Sequence, residues 1–261
     1  MRKKLISILV LTLVFALSFV LRGCGGEKPS EEAAQAVDGV VQLEEVAAVK
    51  AVKAGVSVTL GSVSANEDGG VTVKTADKEV LLKDVAADAW YVQAVNYAVC
   101  GGLMSGIIGE EEFSPDRGVT RAQFAVMLYR FLGGEPAEGE SNFTDLESDA
   151  WYYDEVNWAA QHGYLSGSGT DTFGVDEFIS CEQVLSVLHR LAGEIKSETT
   201  LDEYPYAPKV SSYAKGAVSW AWGAGLIAEE EAIWYPTQTV SRAQIAMLLM
   251  RYDALTGGTI A

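Results

Sequence analysis

From Tyr91 onward the apolar residues recur at helical intervals, and the pattern itself recurs. Tyr91, Ala94, Val95 and Ala98 stand at i, i+3, i+4 and i+7, as do Ala214, Ala217, Val218 and Ala221, the spacing of one buried helix face. In a middle copy Glu155 falls between Tyr152 and Val156, so that stripe is narrower or locally exposed. A second stripe comes after each of these: Phe124, Met127, Leu128 and Phe131, then Val184, Val187, Leu188 and Leu191, then Ile245, Leu248, Leu249 and Tyr252. Three pairs of amphipathic helices are predicted. Upstream the period falls to two in Val56-Ser57-Val58-Thr59-Leu60 and Val71-Thr72-Val73-Lys74, with Asn66-Glu67-Asp68-Gly69-Gly70 between them. That is a short β-hairpin signal within residues 56–80. A lone hairpin is marginal in water, so it should pack on the helical part of the chain.

The helix pairs belong to an internal repeat. Asp84 to Tyr91 (DVAADAWY) returns 61 residues later as Asp145 to Tyr152 (DLESDAWY), and Asn96-Tyr97-Ala98 returns as Asn157-Trp158-Ala159 and Ser219-Trp220-Ala221. Each second helix opens on Thr120, Ser180 or Ser241, with Gln123, Gln183 or Gln244 three residues on. That arrangement is a capping box, and Val119, Ile179 and Val240 add a hydrophobic staple onto Phe124, Val184 and Ile245. Gly102, Gly163 and Gly225 stand where the first helices should end in a left-handed cap. These signals bound the three units at 81–134, 141–194 and 204–256. Tyr97, Trp158 and Trp220 lie beside the core stripe and are expected to pack.

Asp-x-x-x-x-x-Trp at the first helix, Gly-Leu-Met-Ser-Gly after it, an aromatic-Ser-Pro-Asp turn and Thr-Arg-Ala-Gln at the second helix together resemble S-layer homology repeats. The resemblance spans roughly residues 81 to 254. It implies a mainly α fold, three helix-loop-helix repeats in a pseudo-threefold bundle behind the short β segment. It also implies binding of secondary cell-wall polysaccharide, often through pyruvylated amino sugars. The site residues it points to are Arg121, Arg242, Trp90, Trp151, Asp84, Asp145, Gly106 and Gly167.

Physical chemistry gives these residues a rationale. Arg121 and Arg242 begin helices, where the dipole disfavours a cation by roughly 0.3–1 kcal/mol, so helix stability did not place them. Beside unpaired N-terminal N–H groups, an arginine would clamp a carboxylate such as that of a pyruvyl ketal. The alternative is that each merely pairs with an acid such as Asp84 or Asp116. Trp90 and Trp151 could stack on sugar rings or pack between repeats. Gly106 and Gly167 would let a ligand approach the backbone. Unit two has Cys181 in place of the arginine, and unit three has Tyr213 for the tryptophan and Glu229 for the second glycine. Unit one alone keeps every element. Unequal grooves are therefore expected, with at most two competent for an anion.

The N-terminus sets the location. Arg2, Lys3 and Lys4 precede a mostly apolar run from Leu5 to Leu21, then Gly23 and Cys24. This reads as an export signal over residues 1–23. Leu21-Arg22-Gly23-Cys24 resembles the lipobox of bacterial lipoproteins, with Arg22 a departure, and an uncleaved membrane anchor is the alternative. Lipidation of Cys24 would tether the chain at the outer face of the cell membrane. Residues 24–55 then read as a flexible acidic linker.

Composition excludes several other roles. The 261 residues are 49% hydrophobic, which is not the composition of a disordered polymer. Asp and Glu number 36 against 19 Lys and Arg, a net charge of −17 that argues against nucleic acid. Removing the signal with its four basic residues makes it −21. Two histidines and three cysteines leave little for a His/Cys zinc site. Cys100 and Cys181 could pair, but each has a helical explanation of its own. Carboxylate pairs carry little information among so many acids, and neither His162 nor His189 has a nucleophile pattern around it. No catalysis, metal or cofactor is expected. A transport-type solute-binding lipoprotein would need alternating strands and helices that are absent. The rival that stays open is a set of degenerate repeats serving as an extracellular protein-interaction module.

Overall fold

The computed structural model describes residues 54–106, 111–228 and 234–258. The export signal, Cys24, most of the linker and Glu229 lie outside the described residues. Three strands come first: β1 (Ser62–Ala65), β2 (Val71–Lys74) and β3 (Glu79–Leu82). Among the described residues six α-helices then run in pairs: α1 (Val92–Cys100) with α2 (Arg121–Leu132), α3 (Tyr153–Gln161) with α4 (Cys181–Leu191), and α5 (Lys215–Gly223) with α6 (Arg242–Leu255). The described residues are mainly helical with a small antiparallel sheet.

The local signals act as the sequence requires. Thr120, Ser180 and Ser241 each accept from the glutamine N–H at N3 while the glutamine side chain returns to the cap N–H, three complete capping boxes. Each is worth about 1 kcal/mol. Gly102, Gly163 and Gly225 have φ of +67°, +69° and +74°, the left-handed conformation that a residue with a Cβ adopts only at a cost. The staple residues Val119, Ile179 and Val240 are fully buried, as are Phe124, Val184 and Ile245.

The β segment differs from the expected hairpin. Its first strand is Ser62–Ala65 rather than the 56–60 run, and a third strand completes the sheet in the order β1-β2-β3, with Ser62 opposite Lys74 and Val71 opposite Leu82. Val58 instead leaves the sheet and is buried in the shared core with Val71, Val73 and Leu82. Burying both Val58 and the β2 face gains more than extending an exposed edge strand. The sheet is tied to α1 by Asn96, which donates from Nδ2 to Gly61 O (2.9 Å) and accepts from Gly61 N–H (3.2 Å). The last linker residues are docked as well, Gly55 N–H donating to Phe131 O at 2.8 Å.

Helices pack across units in a cycle: α2 on α3, α4 on α5, and α6 back on α1. The segments preceding the second helices pair in the same cycle, through bridges Thr120 to Phe178, Ser180 to Thr239 and Ser241 to Gly118. Tyr97, Trp158 and Trp220 are buried in this core, as expected of packing residues. Cys100 and Cys181 are both free thiols, the first half-buried and the second buried.

At the α1–α6 contact the Tyr97 hydroxyl donates to Asp253 Oδ2 (2.8 Å), both residues being fully buried. Burial raises the Asp253 pKa, and the tyrosine bond only partly offsets this. A carboxyl whose folded pKa lies above its unfolded value contributes stability below the unfolded value and loses it as pH rises through the folded one. Asp253→Asn keeps an oxygen for Tyr97 and cannot ionise. Its melting temperature should therefore fall less than that of the native protein as pH is raised from acid to neutral; parallel curves would contradict this account.

Candidate functional site

The first two N–H groups of each second helix are buried at a junction between units, where they must find acceptors. The loop of the neighbouring unit supplies them. Arg121 and Ala122 donate to Glu177 O (2.9 Å) and Val175 O (3.4 Å), Arg242 and Ala243 to Arg117 O and Pro115 O (both 3.0 Å), and Cys181 and Glu182 to Gln238 O (3.0 Å) and Pro236 O (2.8 Å). The third N–H is held by the capping hydroxyl. The expectation of unpaired helix N-termini beside the arginines is thus corrected: backbone carbonyls occupy them.

The arginine side chains cross the same junctions. Arg121 donates from Nε to Phe173 O (2.9 Å) and from Nη2 to Ser166 O, with its guanidinium 4.9 Å from the centre of the Phe173 ring. Arg242 repeats this on unit one, from Nε to Phe113 O (2.8 Å) and from Nη2 to Ser105 O (2.7 Å), 4.7 Å from the centre of the Phe113 ring. Arg121 is 6% exposed, and burial lowers the pKa of both guanidinium groups. Neither makes an ion pair among the described residues. The alternative in which Asp84 or Asp116 pairs with them is not what the structure shows. Two of the five N–H donors of each guanidinium are used, and Nη1 has no protein acceptor among the described residues.

Asp84 and Asp145 have another occupation. Asp84 accepts from Phe113 N–H (2.7 Å) and Ser114 N–H (2.6 Å), and Asp145 from Phe173, Gly174 and Val175 N–H (2.7, 2.7 and 3.2 Å). Burial pushes the Asp145 pKa up, but the backbone donors together bring it below the usual value. Each aspartate thus holds the loop that the neighbouring arginine grips. Gly106 and Gly167 sit where that loop doubles back: a Cβ would lie 2.8 Å from Glu112 O and 2.6 Å from Thr172 O. Trp90 and Trp151 are 44% and 64% exposed. Trp90 stands edge-on to Tyr91 and Trp234, and Trp151 edge-on to Tyr152. Both present aromatic surface to solvent.

Site elements therefore assemble between units. The arginine of unit three meets the loop of unit one, and the arginine of unit one meets the loop of unit two. Unit one alone keeps every element in its own sequence, but each arginine meets the loop of a neighbouring unit. At the third junction Cys181 is buried and its thiol pushed up to about 12 by burial and by Glu182. Trp234, at the place of Phe113 and Phe173, has its carbonyl bonded by the Tyr204 hydroxyl of its own unit. The cross-junction tie passes instead to Glu182.

Two recurring side chains make contacts that spacing alone does not report. Arg130, Arg190 and Arg251 donate to carbonyls two or three residues beyond the first helix of their own unit, at Leu103, Gly163 with Tyr164, and Leu226. They offset the negative end of that helix. Asn157 and Ser219, like Asn96, hold the segment entering their unit, at Ser141 and Thr199. The 60- and 61-residue recurrence of the arginines was the available signal. A cleft of about 430 Å³ lies elsewhere, between Gly133–Glu138 and the end of α3 at Trp158, His162 and Tyr164.

Residues 81–125 and 142–184 match the family model of the S-layer homology domain. These two stretches of the chain are similar to the S-layer homology domain. Arg121, Asp84, Trp90, Asp145 and Trp151 fall inside the matched stretches, and Arg242 falls outside them. The chain is 28% identical over 163 residues, 61% of its length, to a surface-layer 125 kDa protein of Lysinibacillus sphaericus. It is 31% identical over 142 residues, 52% of its length, to an endoglucanase of Bacillus sp. (strain KSM-635). A 45-residue stretch, 17% of the chain, is 51% identical to an S-layer-related protein of Niallia circulans. The similarity spans 14%, 15% and 3% of these relatives' own lengths.

Proposed function

We propose that the chain is a non-catalytic envelope protein whose repeats bind an anionic secondary cell-wall polysaccharide. Residues 204–256 serve as a third S-layer homology repeat, and the cyclic packing of α2 on α3, α4 on α5 and α6 on α1 supports a pseudo-threefold bundle. One observation carries the binding reading. In a chain of net charge −17, two guanidinium groups are held at unit junctions with no ion pair among the described residues and with donors to spare. A guanidinium with spare donors at a seam can clamp a carboxylate that arrives. A pyruvyl carboxylate on an amino sugar has the charge and planarity for it, and Trp90 and Trp151 offer surfaces for sugar C–H faces. Lipidation at Cys24 would join this wall contact to the outer face of the membrane.

The test is retention on purified wall, compared with wall stripped of its secondary polymer. Retention by the polymer-bearing material alone is expected. Equal retention on both would favour the protein-interaction module, to which the damaged third junction lends some support.

A further inference from the structure

The third junction is built with the opposite sign of charge from the other two. At the first two helix positions where the others have Arg121-Ala122 and Arg242-Ala243, it has Cys181-Glu182. Glu182 is 3% exposed. Its Oε2 accepts from Ser211 N–H at 3.0 Å and its Oε1 from the Tyr213 hydroxyl at 3.1 Å. Tyr213 takes the place of Trp90 and Trp151. Ser211 takes that of Asp88 and Asp149, whose N–H groups find no acceptor among the described residues. Where the other junctions have an alanine methyl and an exposed tryptophan, this one has a carboxylate gripping the tyrosine and the backbone before it. The tie across the seam is made by an anion on donors of unit three, not by a cation on its carbonyls.

We infer that Glu182 is an internal plug: its carboxylate occupies and closes the third junction, so the chain binds its anionic ligand at two junctions and excludes it from the third. This rests on the polymer-binding reading above and adds the number and placement of its sites. Two effects act together. The buried carboxylate repels an incoming carboxylate, a like-charge penalty that low polarity magnifies. It also holds Ser211 N–H and the Tyr213 hydroxyl, so a ligand entering there would have to break both of these bonds.

The plug can be removed and transplanted. Native mass spectrometry with the methyl glycoside of a pyruvylated N-acetylhexosamine counts ligands per chain. Two are expected for the native chain and three for Cys181→Arg/Glu182→Ala, which restores the Arg-Ala pair of the other junctions. The converse change, Ala122→Glu with Arg121 left in place, should lower the count to one. Because Ala122 is only 1% exposed, this variant counts only if circular dichroism shows it folded, while the count on the native chain tests the idea in either case. Three ligands on the native chain, two on a folded Cys181→Arg/Glu182→Ala, or two on Ala122→Glu would each overturn the plug. No ligand on the native chain would instead overturn the polymer-binding reading on which it rests.

Discussion

Replacing Arg121 and Arg242 together by alanine should abolish retention on polymer-bearing wall. Each guanidinium supplies charge-assisted hydrogen bonds worth about 1.5–3 kcal/mol, so each junction should lose roughly 10- to 150-fold in affinity. With both junctions weakened, binding through paired sites is lost as well. The same arginines hold Ser166, Phe173, Ser105 and Phe113 carbonyls across the seams, so some loss of stability is expected too. An Arg→Lys pair separates the two roles. Lysine keeps the charge but cannot grip two carbonyls and a carboxylate at once. A folded lysine pair, checked by circular dichroism, should bind weakly rather than not at all. Unchanged binding in a folded alanine pair would remove these residues from the site.

Asp145→Ala should be the most destabilising single substitution at the site. It leaves the Phe173, Gly174 and Val175 N–H groups without their acceptor, at a cost of roughly 2–4 kcal/mol for several buried or half-buried donors. The measurement is thermal unfolding, where a shift of several degrees is expected. Asp145→Asn, which keeps one acceptor oxygen, should fall between. The pH dependence has a definite sign. Because the folded pKa is lowered, the native contribution is present above the unfolded value and disappears as pH falls through the folded one. The gap between native and Asp145→Ala should therefore narrow in acid. A gap that stays constant with pH would show that ionised Asp145 is not what holds the loop.

What was legible in the chain was whatever short-range stereochemistry controls. The capping boxes at Thr120, Ser180 and Ser241 and the left-handed glycines at 102, 163 and 225 involve atoms a few residues apart, so spacing alone identifies them. The β segment was harder. Whether Val58 or Ser62–Ala65 joins the sheet depends on whether Val58 can enter the core beside Leu103, and no local rule reports that. The arginines show the same division. Their unfavourable position at helix starts was visible, but not the neighbouring loop carbonyls that they grip.

By itself, then, the sequence determined three helix pairs, their starts and stops, their buried stripes and the chemical inventory of each unit, because these depend on periodicities of a few residues. Only the tertiary structure decided that each arginine meets the loop of a neighbouring unit. It closed the helix N-termini with neighbouring carbonyls, gave Asp84 and Asp145 to the loops rather than to the arginines, and turned Glu182 inward at the third seam. The physical reason is that a buried polar group must be satisfied by whatever packing brings to it. Which partner arrives is a property of the closed cycle of units and not of any one of them.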